Sequence, residues 1–357
     1  MPSHHRCSLR CILPPGLLLK LARTGSDQER ESALRALSLD HSFRQSRAVA
    51  EAAVTLPAMA EVAMAFAIAA PLGGKPQRLI YDQHEGEAQN LGTLVRGEGQ
   101  PPVTDEAVND AYDGFGDTYK FYWEVLKRNS IDDRGMQIDG LVHYGKNYDN
   151  AFWDGAGHMW FGDGDGKLLT QTTKGVDVIG HELTHGVTQY TLNLVYQGQS
   201  GALNESISDC MGSLVMQYAR AQTAETASWL IGADIVGPAL APALRSMKEP
   251  GKANAHDDQP ATMDEYVQTA EDNGGVHTNS GIPNRAFYLV ASTLGGKAWE
   301  GAGRIWYDTM HDPQVKPDAD FKAFANGTLR AAQERFGSKS KQAEAVSTAW
   351  EGVKIKL

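Results

Sequence analysis

Two histidines and a glutamate stand in the stretch Asp177-Val178-Ile179-Gly180-His181-Glu182-Leu183-Thr184-His185. His-Glu-x-x-His is the spacing with which one helix offers two imidazoles to one metal ion. At about 100° per residue, His181 and His185 lie about 40° apart on one helical face. Val176, Ile179, Leu183 and Val187 fall on the opposite face, so one side can pack while the other holds an ion. Glu182 lies at the edge of the metal face, within reach of a metal-bound water. Asp177 falls near the helix start, where an acidic side chain suits the dipole. A catalytic zinc takes three protein ligands and keeps a fourth position for water. Downstream, Ser200-Gly201-Ala202-Leu203-Asn204-Glu205-Ser206-Ile207-Ser208-Asp209 reads as a second amphipathic helix, with Ser200 as its N-cap. Glu205 and Asp209 share one face, and Leu203, Ile207, Leu214 and Tyr218 take the other. Glu205 is thus the candidate third ligand. Asp209 is placed to accept the outer ring N–H of a ligand histidine and fix its tautomer.

At these residues the chain resembles the thermolysin-like zinc metallopeptidases, and among them the protealysin-type precursors with a short proregion. The likeness runs from about Leu79 to the C-terminus. Besides the two helices it rests on Asn150-Ala151-Phe152-Trp153, on Arg245-Ser246-Met247 and on Asp272-Asn273-Gly274-Gly275-Val276-His277-Thr278-Asn279-Ser280-Gly281. The resemblance implies an endopeptidase with one zinc on His181, His185 and Glu205. In it a zinc-bound water attacks an internal peptide carbonyl and Glu182 acts as general base. It further implies that Tyr196 and His277 stabilise the oxyanion and that Asp272 orients His277. Asn150 and the Ala151 backbone would hold an extended peptide, and Arg245 would bind a carbonyl on the primed side. Val178, Leu169, Ile235 and Leu244 match positions lining an apolar pocket, so cleavage before Leu, Phe and similar residues is expected. Trp153 reads equally as core or as cleft wall. One departure concerns calcium. Asp177 remains of the family's acidic calcium site, but the later matching positions read Met216, Ser228, Leu230 and Ala233. One carboxylate is a poor start for an ion that wants six to eight oxygens.

Around this chemistry, the 357 residues suffice for two lobes, and a 41 % hydrophobic content permits a sizeable core. The net charge of -11 argues against a nucleic-acid partner. Three cysteines, Cys7, Cys11 and Cys210, make no disulfide framework. Neither the apolar run near Leu13 nor that from Ala58 to Ala70 reads as a signal peptide or a membrane span. Secretion, with a cytoplasmic pool possible, is therefore expected to use a route the sequence does not display, and the enzyme is expected to be a monomer. Leu79-Ile80-Tyr81, Thr93-Leu94-Val95 and Leu141-Val142-His143-Tyr144 read as strands. His158-Met159-Trp160-Phe161 and Leu168-Leu169 read as a hairpin around a Gly-Asp turn. Val108 to Leu126 keeps helical spacing, and helical patterns dominate from Val176. The expected fold is α+β: a mostly β lobe over residues 71–175 and a helical lobe over 176–357, with the motif helix at the cleft between them.

Residues 1–70 read as a proregion and linker. Glu29 to Leu39 suggests a short helix, and Pro14-Pro15 with its following leucines resembles the proregion motif of protealysin-type precursors. This segment is expected to cover the cleft and to be removed by cleavage between His41 and Pro71. Cys7 or Cys11 could in principle bind zinc as a thiolate, but the resemblance implies that the Pro-Pro segment and packing inhibit instead. Two other functions share the motif: a non-catalytic zinc-binding module, disfavoured by an intact Glu182, Tyr196 and His277, and an aminopeptidase, disfavoured by the Asn150 and Arg245 blocks.

Overall fold

A computed structural model describes residues 10–53 and 74–357. Six strands form one twisted sheet in the order β1-β5-β6-β4-β2-β3. They are β1 (Arg10–Cys11), β2 (Arg78–Asp82), β3 (Thr93–Gly97), β4 (Ile138–Val142), β5 (Ala151–Trp153) and β6 (His158–Phe161). Pairing is antiparallel except for the parallel β2/β4 and β4/β6 ladders. Among the described residues, three α-helices precede the motif: α1 (Pro15–Thr24), α2 (Asp27–Ala53) and α3 (Glu106–Glu124). Helix α3 starts where the Asp105 carboxylate accepts the amides of Ala107 and Val108. Its buried stripe of Val108, Ala111, Phe115 and Tyr122 joins the core.

Then come α4 (Val176–Gln189) and α5 (Gly198–Ala219), followed by the short pair β7 (Leu230–Ile231) and β8 (Arg245–Ser246). The chain ends in α6 (Asp272–Asn279), α7 (Gly281–Leu294), α8 (Ala302–Thr309), α9 (Phe321–Phe336) and α10 (Lys341–Gly352). A sheet-rich first half and a helical second half make the α+β arrangement that the sequence pattern indicates. Indoles of Trp306 and Trp350 stack at 6.0 Å inside the helical half. Among the described residues no helix is long and apolar enough to cross a membrane.

Several local expectations are corrected. His158 to Phe161 pairs with β5 and β4, while Leu169 instead bridges Val236. The hairpin is therefore β5–β6, because the Gly162 and Gly164 turn diverts the chain towards the helical half. Helix α5 begins two residues before Ser200, whose hydroxyl donates back to the carbonyls of Val195 and Gln197 and accepts no capping amide. In the N-terminal segment the helix expected from Glu29 to Leu39 spans Asp27–Ala53, and Pro15 opens a further helix at its first position. Of the span proposed for cleavage, residues 41–53 are helical and 54–71 lie outside the described residues.

Candidate active site

Helices α4 and α5 cross where both carry glycine. A Cβ on Gly180 would come within 3.0 Å of the Gly212 Cα, and one on Gly212 would collide with the Asp177 carbonyl at 2.3 Å. This close approach brings His181 and His185 of α4 up to Glu205 of α5. His181 Nε2 lies 3.1 Å from His185 Nε2 and 3.4 Å from Glu205 Oε2, and His185 Nε2 lies 3.5 Å from Glu205 Oε1. Donors at about 2.0–2.1 Å around a tetrahedral zinc stand about 3.3 Å apart, so the three fit that ion without rearrangement. Among the described residues theirs is the one group of three or more such ligand atoms lying within 4.8 Å of one another. Cys11, though buried beside this site, is not in it.

Each imidazole is held by its other nitrogen. His181 Nδ1 is 2.8 Å from Asp209 Oδ1, and His185 Nδ1 is 2.7 Å from Asn204 Oδ1 and 3.0 Å from Ser208 Oγ. With Nδ1–H turned outward, both Nε2 lone pairs point at the common centre. Burial alone would depress His181, but Asp209 and Glu205 lift it to about 10. The surroundings thus favour a positive charge at this centre, which a bound cation would provide. Asp209 also accepts Arg245 Nε at 3.0 Å, Arg245 Nη2 at 2.7 Å and Asn284 Nδ2 at 2.8 Å. Burial opposes its ionisation, yet Arg245 and His181 hold its carboxyl well below the usual range.

Glu182 projects from the same helix turn. Its Oε2 accepts the Trp153 amide at 3.0 Å, and its buried Oε1 has no partner. Burial, with Glu205 nearby, pushes its carboxyl up to about 8 against the opposing pull of His181. The whole of residues 177–188 is buried, so the histidine face is covered as well as the apolar one. Trp153 is itself buried and lies against Gly186, which makes it core as well as a wall of the site.

On the far side, Tyr196 donates its hydroxyl to Glu205 Oε1 and lies 3.3 Å from His277 Nε2. His277 owes its position to a left-handed turn. Asp272, Asn273, Gly274 and Gly275 all have positive φ, from 50° to 84°, a conformation open to Asp, Asn and Gly. The turn brings the Asp272 carboxylate back to His277 N at 2.9 Å and to His277 Nδ1 at 2.8 Å. Burial would lower His277, but Asp272 and Glu205 raise it to about 9.

The cleft is filled by the chain's own N-terminus. Strand β1 pairs antiparallel with β5, Cys11 opposite Phe152. Leu13 N donates to Asn150 Oδ1 at 3.0 Å, and Arg245 Nη1 donates to the Ile12 carbonyl at 2.9 Å. Asp40, on α2 and buried, accepts the Tyr148 hydroxyl at 2.5 Å and Asn150 Nδ2 at 3.4 Å. Val178, Leu169, Ile235 and Leu244 are all buried within one apolar cluster that also contains Ile12 and Leu13. Val178 and Ile235 meet over Gly175, where a Cβ would touch both at 2.9 Å. Leu244 and Arg245 line a cavity of about 430 Å³ together with Pro14, Leu17 and Lys20 of the N-terminal segment. Sequence reasoning did not single out Asn204, Ser208 or Asn284. The first two were readable in principle, since their spacing of four repeats that of Glu205 and Asp209 one position along α5.

The chain is similar to known proteins over nearly its whole length. The chain is 45 % identical over 366 residues to an "Extracellular metalloprotease" of Pectobacterium carotovorum subsp. carotovorum, covering 100 % of this chain and 99 % of that one. It is 42 % identical to "Protease PrtS" of Photorhabdus sp. (strain Az29), over 97 % of this chain and 92 % of its relative. The solved precursor of protealysin, a metalloproteinase from Serratia proteamaculans, superposes with a TM-score of 0.84 at 45 % identity, covering 97 % of this chain and 99 % of that one. Residues 77–189 match the thermolysin metallopeptidase catalytic domain and residues 192–355 match its alpha-helical domain. With both domains present in order around a His-His-Glu centre, the chain belongs to the thermolysin metallopeptidase family.

Proposed function

We propose that this metallopeptidase is a zinc endopeptidase made as a self-inhibited precursor, with His181, His185 and Glu205 as the metal ligands. The observation that carries the reading is the donor triangle of 3.1–3.5 Å edges with both Nδ1 atoms already engaged. The ion would supply Lewis acidity at this centre and a water acidic near neutral pH. Glu182 takes the proton from the attacking water through its unpartnered Oε1 and passes it to the leaving nitrogen. Tyr196 and His277 converge from the opposite side and donate to the carbonyl oxygen as it gains charge, each such donor being worth about 3 kcal/mol. Asp272 keeps the His277 Nε2 pointed inward, and Asp209 couples the His181 tautomer to the aim of Arg245. Asn150, the Ala151 backbone and Arg245 would hold an extended peptide against β5. The apolar walls Val178, Leu169, Ile235 and Leu244 favour a bulky apolar residue just after the cut.

Self-inhibition is supported by the same contacts, because residues 11–13 occupy the groups a peptide substrate would need. Calcium is proposed to be dispensable. The Asp177 carboxylate accepts the Gly232 amide at 2.7 Å inside the core, and burial pushes it up to about 6. Export is supported by the full-length relative named extracellular, and we take the enzyme to act as a monomer on protein or peptide substrates. A casein digest with and without a zinc chelator tests the reading. Internal cleavage abolished by the chelator and restored by zinc is expected, whereas release of N-terminal residues alone would make it an aminopeptidase.

A further inference from the structure

The N-terminal segment lies in the cleft in a definite register. Ile12 N donates to the Ala151 carbonyl at 3.1 Å, the Ile12 carbonyl accepts from Arg245, and Leu13 N donates to Asn150. One residue upstream, the Cys11 carbonyl faces His277 Nε2 at 3.1 Å. That nitrogen is 3.5 Å from Glu205 Oε2, so the Cys11 carbonyl borders the metal-ligand triangle. A strand added antiparallel to a sheet edge presents its groups in fixed alternation. On the endopeptidase reading above, the carbonyl held by His277 marks the peptide bond that stands in the place of the one to be cut. It is the bond between Cys11 and Ile12. The residue that follows it, Ile12, is bulky, apolar and fully buried. The next carbonyl and the next amide are also satisfied, by Arg245 and Asn150. The polar contacts proposed for an extended substrate, to Ala151, Asn150, Arg245 and His277, are thus made by the chain itself.

We propose that the peptide bond between Cys11 and Ile12 is a self-cleavage site, hydrolysed within the same molecule as an early step of activation. The inference rests on the endopeptidase reading above and adds to it the bond that is cut. In the step, a water oxygen bonds to the Cys11 carbonyl carbon and the bond to the Ile12 nitrogen breaks. Glu182 carries one water proton to that nitrogen, and the second water proton follows from the new carboxyl group, so that both end on the amine. The products are a Cys11 carboxylate and an Ile12 ammonium, two charges in a site with little water. Their solvation cost loosens β1 from β5 and frees residues 1–11.

The test uses the full-length wild-type chain stripped of metal and then given zinc, followed by intact mass and N-terminal sequencing. The first new species is expected to begin at Ile12. It should appear at a rate unchanged over about a 100-fold range of chain concentration, as an intramolecular reaction requires. A first cut elsewhere, a rate that rises with concentration, or a casein-digesting chain that keeps residues 1–11 overturns the proposal and leaves the zinc-endopeptidase reading standing. A chain that neither cuts itself nor digests casein overturns both. A second measurement needs no turnover. In full-length Glu182→Gln, the Ile12 and Leu13 amides should be protected from hydrogen exchange at least ~100-fold relative to an unstructured peptide. Exchange of both at the unstructured rate would show the register to be wrong.

Discussion

Replacing Asp209 by asparagine probes the joint between the metal centre and the peptide cleft. The wild-type carboxylate accepts four hydrogen bonds: one from His181, two from Arg245 and one from Asn284. An amide keeps the shape but offers one acceptor oxygen, and its NH₂ faces donors. It also removes the charge paired with Arg245, whose side chain is only 4 % exposed. Breaking one partner of a buried ion pair costs about 3–5 kcal/mol. Losing a carboxylate behind a ligand histidine weakens metal binding about 10–100-fold. The metal-free variant should therefore unfold on the order of 10 °C lower. Zinc affinity, read by competition with a chromophoric chelator, should fall by one to two decades. KM should rise as well, because Arg245 loses its aim. The control is Asn284→Ala, which removes one neutral donor and leaves the Asp209–Arg245 pair intact, so its cost is about 2 kcal/mol. If Asp209→Asn binds zinc within about twofold of wild type, the carboxylate does not set the His181 tautomer, and this part of the reasoning fails.

Glu182→Gln is expected to keep full zinc while losing about 10²–10⁴-fold in kcat, measured on a quenched fluorescent peptide; near wild-type turnover would remove Glu182 from its proposed role. His143 offers a test of linkage. Its ring lies between Asp163 and Asp105, the latter also the N-cap of α3. Asp163 is the stronger influence, burial opposes it and Asp105 reinforces it, so His143 rises from 6.5 to about 9. A raised imidazole stabilises the fold fully below its unfolded value, and this is lost as pH climbs through about 9. The lost contribution is at most about 3 kcal/mol, and His143→Gln should flatten urea stability between pH 6 and pH 10 by up to that amount; an unchanged pH slope would refute it. Calcium added after mild chelation should shift Tm by no more than a degree or two, whereas a large saturable rise would reveal a site built from other oxygens.

What could be read from the sequence follows from how local each feature is. His181 with His185, and Glu205 with Asp209, are fixed by helical periodicity, so spacing alone gives their common faces. That the two faces meet depends on Gly180 and Gly212 at the helix crossing, and neither glycine announces this in the sequence. The first helix was readable from the apolar spacing around Leu18 and Leu21 only if Pro15 is taken as a starter rather than a breaker. Strand β1 was out of reach. Two residues carry no periodicity, and their conformation is decided by the edge of β5, more than a hundred residues downstream. The hairpin expected around Leu168 failed for a related reason: alternation marks a strand but does not name its partner. Asp40 on α2 gave no signal either, because its partners Tyr148 and Asn150 lie on the other side of the cleft.

The central claim is that His181, His185 and Glu205 together hold one zinc that the peptidase needs. It is tested most directly by metal analysis of full-length Glu205→Ala beside wild type, each dialysed against buffered zinc. The account predicts about one zinc per wild-type chain and almost none in the variant, since three protein ligands are the minimum for such a site. Full zinc occupancy in Glu205→Ala would contradict it.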